Sequence, residues 1–204
     1  MNLMEFPQAG QDFQNCLTNS YELNYQRGIG LGIFGMGSIM LDGGNFQKAE
    51  ELFLQAIPIL QGVQADEVGW CLALLVYTMR QMGQTTRVWQ YACQGLELAI
   101  RAHVYHTAAM IILVIAALLV DEGEVERAIE LHTLATRYPL IKSSPWFHNM
   151  AGQYVDAAAT NLPSQVVAAA RGRGQQRDLF STAEELLEEL SGKIGDDKTG
   201  QYLH

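Results

Sequence analysis

The sequence predicts an all-helical protein built as an array of antiparallel helix hairpins. Turn signals recur at a period of about forty residues, as LDGGNFQKA at 41–49, QMGQTTRV at 81–88 and DEGEVERA at 121–128. An apolar segment with the 3.6-residue periodicity of an amphipathic helix precedes each turn. No alternating apolar and polar run is flanked by hairpin turns, so strand signals are absent from the sequence.

Gly44, Gly83 and Gly123 are the predicted bends of three hairpins. Each glycine supplies the left-handed residue that ends the first helix of its hairpin. Five positions after each glycine comes a small or β-branched residue that lets the two helices approach, at Ala49, Val88 and Ala128. A larger residue follows four positions later at Phe53 and His132, with Ala92 as the exception, and a small one three positions further, at Ala56, Gly95 and Ala135.

The N-terminal sequence also matches the second helix of such a hairpin. Ala9, Phe13 and Cys16 have the spacing of Ala49, Phe53 and Ala56. A helix of this kind cannot bury its apolar face without a neighbour. We interpret the chain as a segment of a longer repeat protein, and the alternative is that this helix is the natural N-terminal cap.

The end of the sequence predicts a fourth, degenerate hairpin and a closing helix. SSPWFHNMAGQYVDAAA offers a serine cap with Pro145 in the first turn, and LPSQVVAAARGRG begins again after Pro163. DLFSTAEELLEEL carries a leucine and alanine stripe that suits a helix covering the apolar face of the last unit. The predicted organisation is one domain over 4–191: a half-repeat at 4–20, repeats at about 21–61, 65–101, 104–138 and 144–173, a capping helix at 177–191, and a mobile tail at 192–204.

Composition excludes several classes of function. The 204 residues are 49% apolar and carry a net charge of −9, which suits a folded domain and opposes binding to nucleic acid or to an anionic membrane. The longest uncharged apolar run, His106–Val120, falls short of the ~20 residues that cross a bilayer, so it predicts a buried core helix. Cys16, Cys71 and Cys93 lie in apolar helical text, which predicts buried free thiols in a reducing compartment, and no signal-peptide pattern opens the chain. The expected location is the cytoplasm.

The small–bulky–small pattern after a glycine turn, with Gly37 on the preceding helix, resembles the tetratricopeptide repeat. The period of 39–40 residues exceeds the usual length of about 34. YQRGIGLGIFGMGSIMLDGGNFQKAEELF and the segment from AIELHTLATRYPL to the closing helix are similar to the longer repeats of MalT-like transcriptional regulators and of bacterial signal-transduction ATPases. Val88 and Ala92 depart from the pattern in the second unit. The resemblance implies a right-handed superhelix that binds a peptide, a partner domain or a small effector without catalysis.

If the array curves as tetratricopeptide arrays do, the first helix of each hairpin lines the inner groove. The groove positions are then Phe34, Ser38 and Leu41, followed by Ala73, Tyr77 and Arg80, by Leu113, Ala117 and Val120, and by Asn149, Gln153 and Asp156. This set combines an apolar floor with a few polar points and suits an amphipathic segment or a small ligand, with Arg80 as an anchor for a carboxylate.

Several motifs suggest chemistry and are better explained by structure. The glycine pattern GxGxxG at Gly30 lies inside a helical segment with no strand before it, so it predicts close helix contacts, with Gly28, Gly32 and Gly35 making room, and no dinucleotide site. His103 and His106 share a helical face but lack further ligands at metal spacing, so no metal site is predicted.

The one basic cluster consists of Arg171, Arg173 and Arg177. It is a candidate contact for an anion, and the alternatives are capping of a helix end or ion pairs with the acidic helix that follows. No set of nucleophile, base and orienting group stands out, so neither catalysis nor a cofactor is predicted.

The sequence therefore predicts a non-catalytic module that binds a protein, a peptide or a small effector, as part of a larger bacterial signalling or transcription regulator. Nucleic acid and membrane are not expected partners. The alternative function is a stand-alone helical adaptor that forms a homodimer through its exposed N-terminal helix.

Overall fold

The computed structural model describes residues 5–200, with side chains for 8–194, and all its regular elements are helices. The longer helices are α1 (Glu5–Glu22), α2 (Gln26–Asp42), α3 (Phe46–Gly62), α4 (Val68–Gln81), α5 (Thr85–Ala102), α6 (Tyr105–Asp121) and α7 (Val125–Ala135). The remaining ones are α8 (Pro139–Lys142), α9 (Pro145–Phe147), α10 (Gln153–Ala159), α11 (Ser164–Gln176) and α12 (Leu179–Gly200), with a π-helical turn at His148–Gly152 that joins α9 to α10. The all-α prediction is confirmed over these residues.

The chain forms two compact units, Met1–Gln84 and Thr85–His204. The predicted half-repeat and the repeat at 21–61 fall in the first unit, and the boundary lies inside the predicted repeat at 65–101. None of the described helices combines the length and the apolar character that a membrane span requires.

The three predicted glycine bends have the left-handed geometry that the sequence indicates. The φ angles are +77° at Gly44, +67° at Gly83 and +83° at Gly123. After each glycine the next N–H donates to a carbonyl five residues back, as from Asn45 to Met40 at 2.8 Å. This bond closes the last helical turn and satisfies carbonyls that would otherwise lack a partner.

The sequence analysis did not identify three further left-handed residues, one about twenty positions before each glycine bend. They are Asn24, Gln64 and His103, with φ angles of 51°, 52° and 55°. After each of them the next N–H again donates to the carbonyl five residues back, as from Ala65 to Leu60 at 3.0 Å. Helices in this part of the chain therefore end every nineteen or twenty residues, alternately at a glycine and at a residue with a side chain.

In the first unit the helices α1 to α4 pack in chain order, and α2 lies between α1 and α3. The glycines of α2 make this possible on both of its sides. A Cβ added at Gly32 would lie 3.0 Å from Cβ of Leu17 in α1, and one added at Gly37 would lie 2.8 Å from Cε1 of Phe53 in α3. The prediction that the glycine run provides close helix contacts is confirmed.

In the second unit α6 is the central helix. Every residue from Thr107 to Leu119 is buried, which confirms the predicted core helix. The helices α5, α7, α10 and α12, together with the π-helical turn, all contact α6. Because α6 is apolar on every side, it needs neighbours on every side.

The structure of α12 differs from the predicted arrangement in two respects. It packs along α5 and α6 instead of covering the unit at 144–173, because its apolar stripe of Leu179, Ala183, Leu186 and Leu190 covers that side of the core. It also continues as a helix to Gly200, where a mobile tail from 192 was predicted. The remaining residues 201–204 lie outside the described part of the chain.

The cysteine prediction is confirmed in part. All three thiols are free, and Cys71 and Cys93 are buried, but Cys16 is exposed. Cys16 lies on the side of α1 that faces away from α2, where the other exposed residues are polar: Gln11, Asp12, Gln14, Asn15, Thr18 and Asn19. Burial raises the pKa of the Cys71 thiol to about 12.

The left-handed turn at Gln64 yields a stability prediction. Replacing Gln64 by glycine removes the steric cost of a side chain at φ 52° and should raise the free energy of unfolding by about 0.5–1 kcal/mol. The matched control is Gln55→Gly in the middle of α3, which should lower it by a similar amount because glycine weakens a helix interior. Urea unfolding followed by circular dichroism measures both, and a destabilised Gln64→Gly protein would contradict the assigned turn.

Thiol accessibility yields a second prediction. In the native protein a chromogenic disulfide reagent should modify Cys16 rapidly and leave Cys71 and Cys93 unmodified, because only the first is exposed. In denaturant all three thiols should react. The Cys16→Ser variant is the control and should show no rapid native reaction; rapid modification of more than one thiol in the wild type would contradict the burial of α4 and α5.

Candidate binding surface

A single partly exposed stripe runs along α4. Most of this helix is buried, from Val68 to Met79, but Trp70, Tyr77 and Arg80 keep part of their side chains in solvent. Trp70 and Tyr77 are seven residues apart and Arg80 follows one turn later, so the three lie on one side of the helix. The helix is otherwise mostly buried, so these aromatic and cationic side chains are the part of it that reaches solvent.

Phe34 of α2 extends this stripe onto the neighbouring helix. Its ring lies 5.9 Å from that of Phe53 in α3 and 6.3 Å from that of Trp70, edge to face. One turn further along α2, the hydroxyl of Ser38 donates to the carbonyl of Phe34 at 3.1 Å. Edge-to-face rings hold one another in a defined orientation, so Phe34 joins the three helices at this point.

We call Phe34, Ser38, Trp70, Tyr77 and Arg80 the aromatic face. Four of these residues are groove positions that the sequence predicted. The ring contact between Phe34 and Trp70 joins α2 to α4, and helical spacing places Ser38 beside Phe34 and places Tyr77 and Arg80 on the side of α4 that carries Trp70. Trp70 was missed, although its place seven residues before Tyr77 in WCLALLVY is a sequence signal for it.

The groove positions predicted for the second unit have two different outcomes. Leu113 is 1% exposed and presents no surface, because α6 is enclosed by its neighbours; the prediction is wrong there. Ala117 of this unit is buried as well, and so are the predicted groove positions Leu41 and Ala73 of the first unit. Asn149, Gln153 and Asp156 are exposed on the helix that runs from α9 to α10, where the amide of Gln153 donates to the carbonyl of Asn149.

The predicted anion contact at the basic cluster is not supported. Arg173 donates from Nε to Glu130 at 2.6 Å, and Arg177 also binds Glu130. Arg177 pairs with Glu185 of α12 at 2.6 Å, so the alternative of ion pairs with the acidic helix is confirmed for this residue. Burial raises the pKa of Glu130, but the hydrogen bonds and charges of the two arginines outweigh it and hold that pKa below its ordinary value.

Of the three arginines, Arg171 alone forms no ion pair with the residues that the structure describes. It is exposed on α11 and contributes only a distant positive charge to its surroundings. The cluster therefore ties α11 to α7 and α12, and two of its three cations are already neutralised.

The histidines occupy structural positions. His103 forms the left-handed turn before α6 and stacks on Phe180 at 4.0 Å between ring centroids, while His106 lies in the first turn of α6. His132 and His148 approach each other at Gly152, where an added Cβ would lie 3.1 Å from Nε2 of His132 and 2.9 Å from Nδ1 of His148. Among residues 8–194 no three His, Cys, Asp or Glu side chains are grouped so as to hold a metal ion.

Comparison of the chain with protein-family models, with curated proteins and with solved structures gives no match. The interpretation of the aromatic face therefore depends on its own geometry and chemistry.

His132 yields a prediction on pH. Burial chiefly lowers its pKa, the charges of His148 and Arg171 lower it further, and Asp156 opposes them. A histidine whose pKa is lower in the folded than in the unfolded state stabilises fully above the unfolded value, and this contribution is lost as the pH falls below it. Between about pH 7.5 and pH 5.5 the unfolding free energy should therefore fall, since the unfolded pKa is about 6.5.

The variant His132→Gln isolates this effect. It should flatten the dependence of the unfolding free energy on pH over that interval, whatever its effect on stability at neutral pH. Urea unfolding at several pH values measures the slope for each protein. Equal slopes would contradict the lowered pKa of this half-buried imidazole.

Proposed function

We propose that this chain is a non-catalytic helical repeat module that binds a peptide or protein segment on the aromatic face. The observation that carries the proposal is the row of Phe34, Trp70, Tyr77 and Arg80, which keep part of their side chains in solvent, the last three on a helix that is otherwise mostly buried. Half-buried aromatic rings offer apolar contact at little cost in side-chain entropy. A guanidinium beside them selects a carboxylate.

The segment that fits this surface is amphipathic, with apolar side chains against Phe34 and Trp70 and an acidic residue near Arg80. We further propose that the module belongs to a larger cytoplasmic signalling or transcription regulator of the MalT-like, tetratricopeptide type, a right-handed superhelix. The regular spacing of the left-handed turns supports this resemblance. The alternative, self-association through α1, gains little support because the exposed residues of α1 are mostly polar.

The proposal can be tested with a displayed library of random peptides panned against the whole chain. Enriched peptides should combine apolar residues with an acidic one. In fluorescence anisotropy, Arg80→Gln and Trp70→Ala should each weaken their binding about tenfold or more, as expected for a charged hydrogen bond or an aromatic anchor. The control variant Arg101→Gln removes an exposed arginine of α5 and should bind as the wild type does.

A second measurement identifies the pairing with Arg80. Replacing the acidic residue of an enriched peptide by its amide should cost wild-type affinity and should cost the Arg80→Gln variant little. Circular dichroism confirms that each variant is folded. Enriched peptides that bind both variants as tightly as the wild type would contradict the aromatic face as the binding surface.

A further inference from the structure

Exposed apolar side chains are concentrated at one end of the first unit. Tyr21, Leu23 and Tyr25 flank the left-handed turn between α1 and α2, and Val63 begins the turn between α3 and α4. The most exposed of them is Leu23, at 77%. We call these four residues the turn patch.

The two turns lie at the same end of the unit. Helices that pack in antiparallel order reverse at alternate ends, so the first and third turns come together. The contact that shows this directly is the ion pair between Arg27, at the start of α2, and Glu67, just before α4, at 2.6 Å. The turn patch therefore belongs to one surface, although its residues are up to forty-two positions apart.

The backbone conformation of these turns does not require apolar side chains. A connecting turn on the surface is ordinarily polar, and the turn at Asn24 is made by backbone hydrogen bonds, as from Tyr25 to Ser20 at 2.8 Å. Single exposed apolar residues are common, but a group of them at one end of a helical unit indicates a contact surface.

The charges around the turn patch are mainly negative. Glu22 and Asp66 are exposed, and neither forms an ion pair with another residue in the part of the chain that the structure describes. Arg27 is the cation of this end, and it is held by Oε1 of Glu67. The other oxygen, Oε2 of Glu67, is buried without a hydrogen-bond partner, so Arg27 satisfies only one oxygen of this carboxylate.

We propose that the turn patch binds a basic amphipathic segment of a partner protein. Apolar side chains of the segment would pack on Leu23 and Tyr25, and its lysines or arginines would lie against Glu22 and Asp66. Charge complementarity selects this occupant over the others. A second copy would bring the same acidic surface from a chain of net charge −9, and an anionic membrane would be repelled.

This surface differs from the aromatic face in the charge that it selects. The aromatic face has a cation, Arg80, and suits an acidic segment, whereas the turn patch suits a basic one. The two can therefore succeed or fail separately.

The test uses the whole chain and three fluorescein-labelled helical peptides of about eighteen residues. One is an amphipathic peptide of leucine and lysine, the second has glutamate in place of lysine, and the third is the leucine–lysine composition scrambled to destroy its apolar stripe. The first should bind, with an affinity that falls as salt is added. The other two should bind at least tenfold more weakly.

Variants locate the site. Leu23→Ser should weaken binding of the leucine–lysine peptide at least tenfold, and Glu22→Gln with Asp66→Asn should weaken it several-fold and reduce its salt dependence. Two controls match them. Leu54→Ser removes another exposed leucine of the same unit, and Glu184→Gln with Glu188→Gln removes two exposed carboxylates from α12; both should bind as the wild type does.

Three results would overturn the proposal. The first is binding that Leu23→Ser leaves unchanged, or that the Glu184/Glu188 control weakens as much as Glu22→Gln with Asp66→Asn does. The second is binding to phosphatidylglycerol vesicles that depends on Leu23, which would assign the patch to a membrane. The third is a dimer in light scattering that Leu23→Ser dissociates, which would assign it to a second copy.

Discussion

Helices from α1 to α7 are limited by a backbone constraint that recurs every nineteen or twenty residues. At each of these places one residue takes a left-handed conformation, and the next N–H bonds to a carbonyl five residues back. The constraint sets the lengths of α2 to α6 to between fourteen and eighteen residues, so neighbouring helices can pack along most of their length. Every surface described above depends on this regularity, because it decides which residues share a side and which turns share an end.

The two units build their cores by opposite means. In the first unit α2 interleaves apolar side chains with glycines, and these glycines let the side chains of α1 and α3 come close to its backbone. In the second unit α6 has bulk on every side and is covered by the helices around it. Glycines lower the intrinsic stability of a helix, so α2 depends on its neighbours for its structure, whereas α6 supplies the apolar surface on which its neighbours pack.

Ion pairs connect helices of the second unit, whereas Glu22 and Asp66 of the first unit form no ion pair among the described residues. In the second unit Arg173 and Arg177 hold Glu130, and Arg127 pairs with Glu189 of α12, so these ion pairs connect helices that are distant in sequence. At the turn patch of the first unit, Glu22 and Asp66 remain exposed beside apolar side chains. A carboxylate that is already paired gives little binding energy to a partner, whereas an unpaired one beside an apolar surface contributes to recognition.

The sequence by itself determined what depends on local interactions. Helical periodicity, the glycine bends and the close contacts of α2 were all predicted, because each follows from residues within a few positions of one another. The tertiary structure decided the rest. The path of α12 along α5 and α6, the burial of Leu113, the exposure of Cys16 and the binding of Arg173 to Glu130 depend on which helices meet in space. A contact between residues about forty or more positions apart cannot be predicted from a local sequence pattern, so the packing of the helices determined these features.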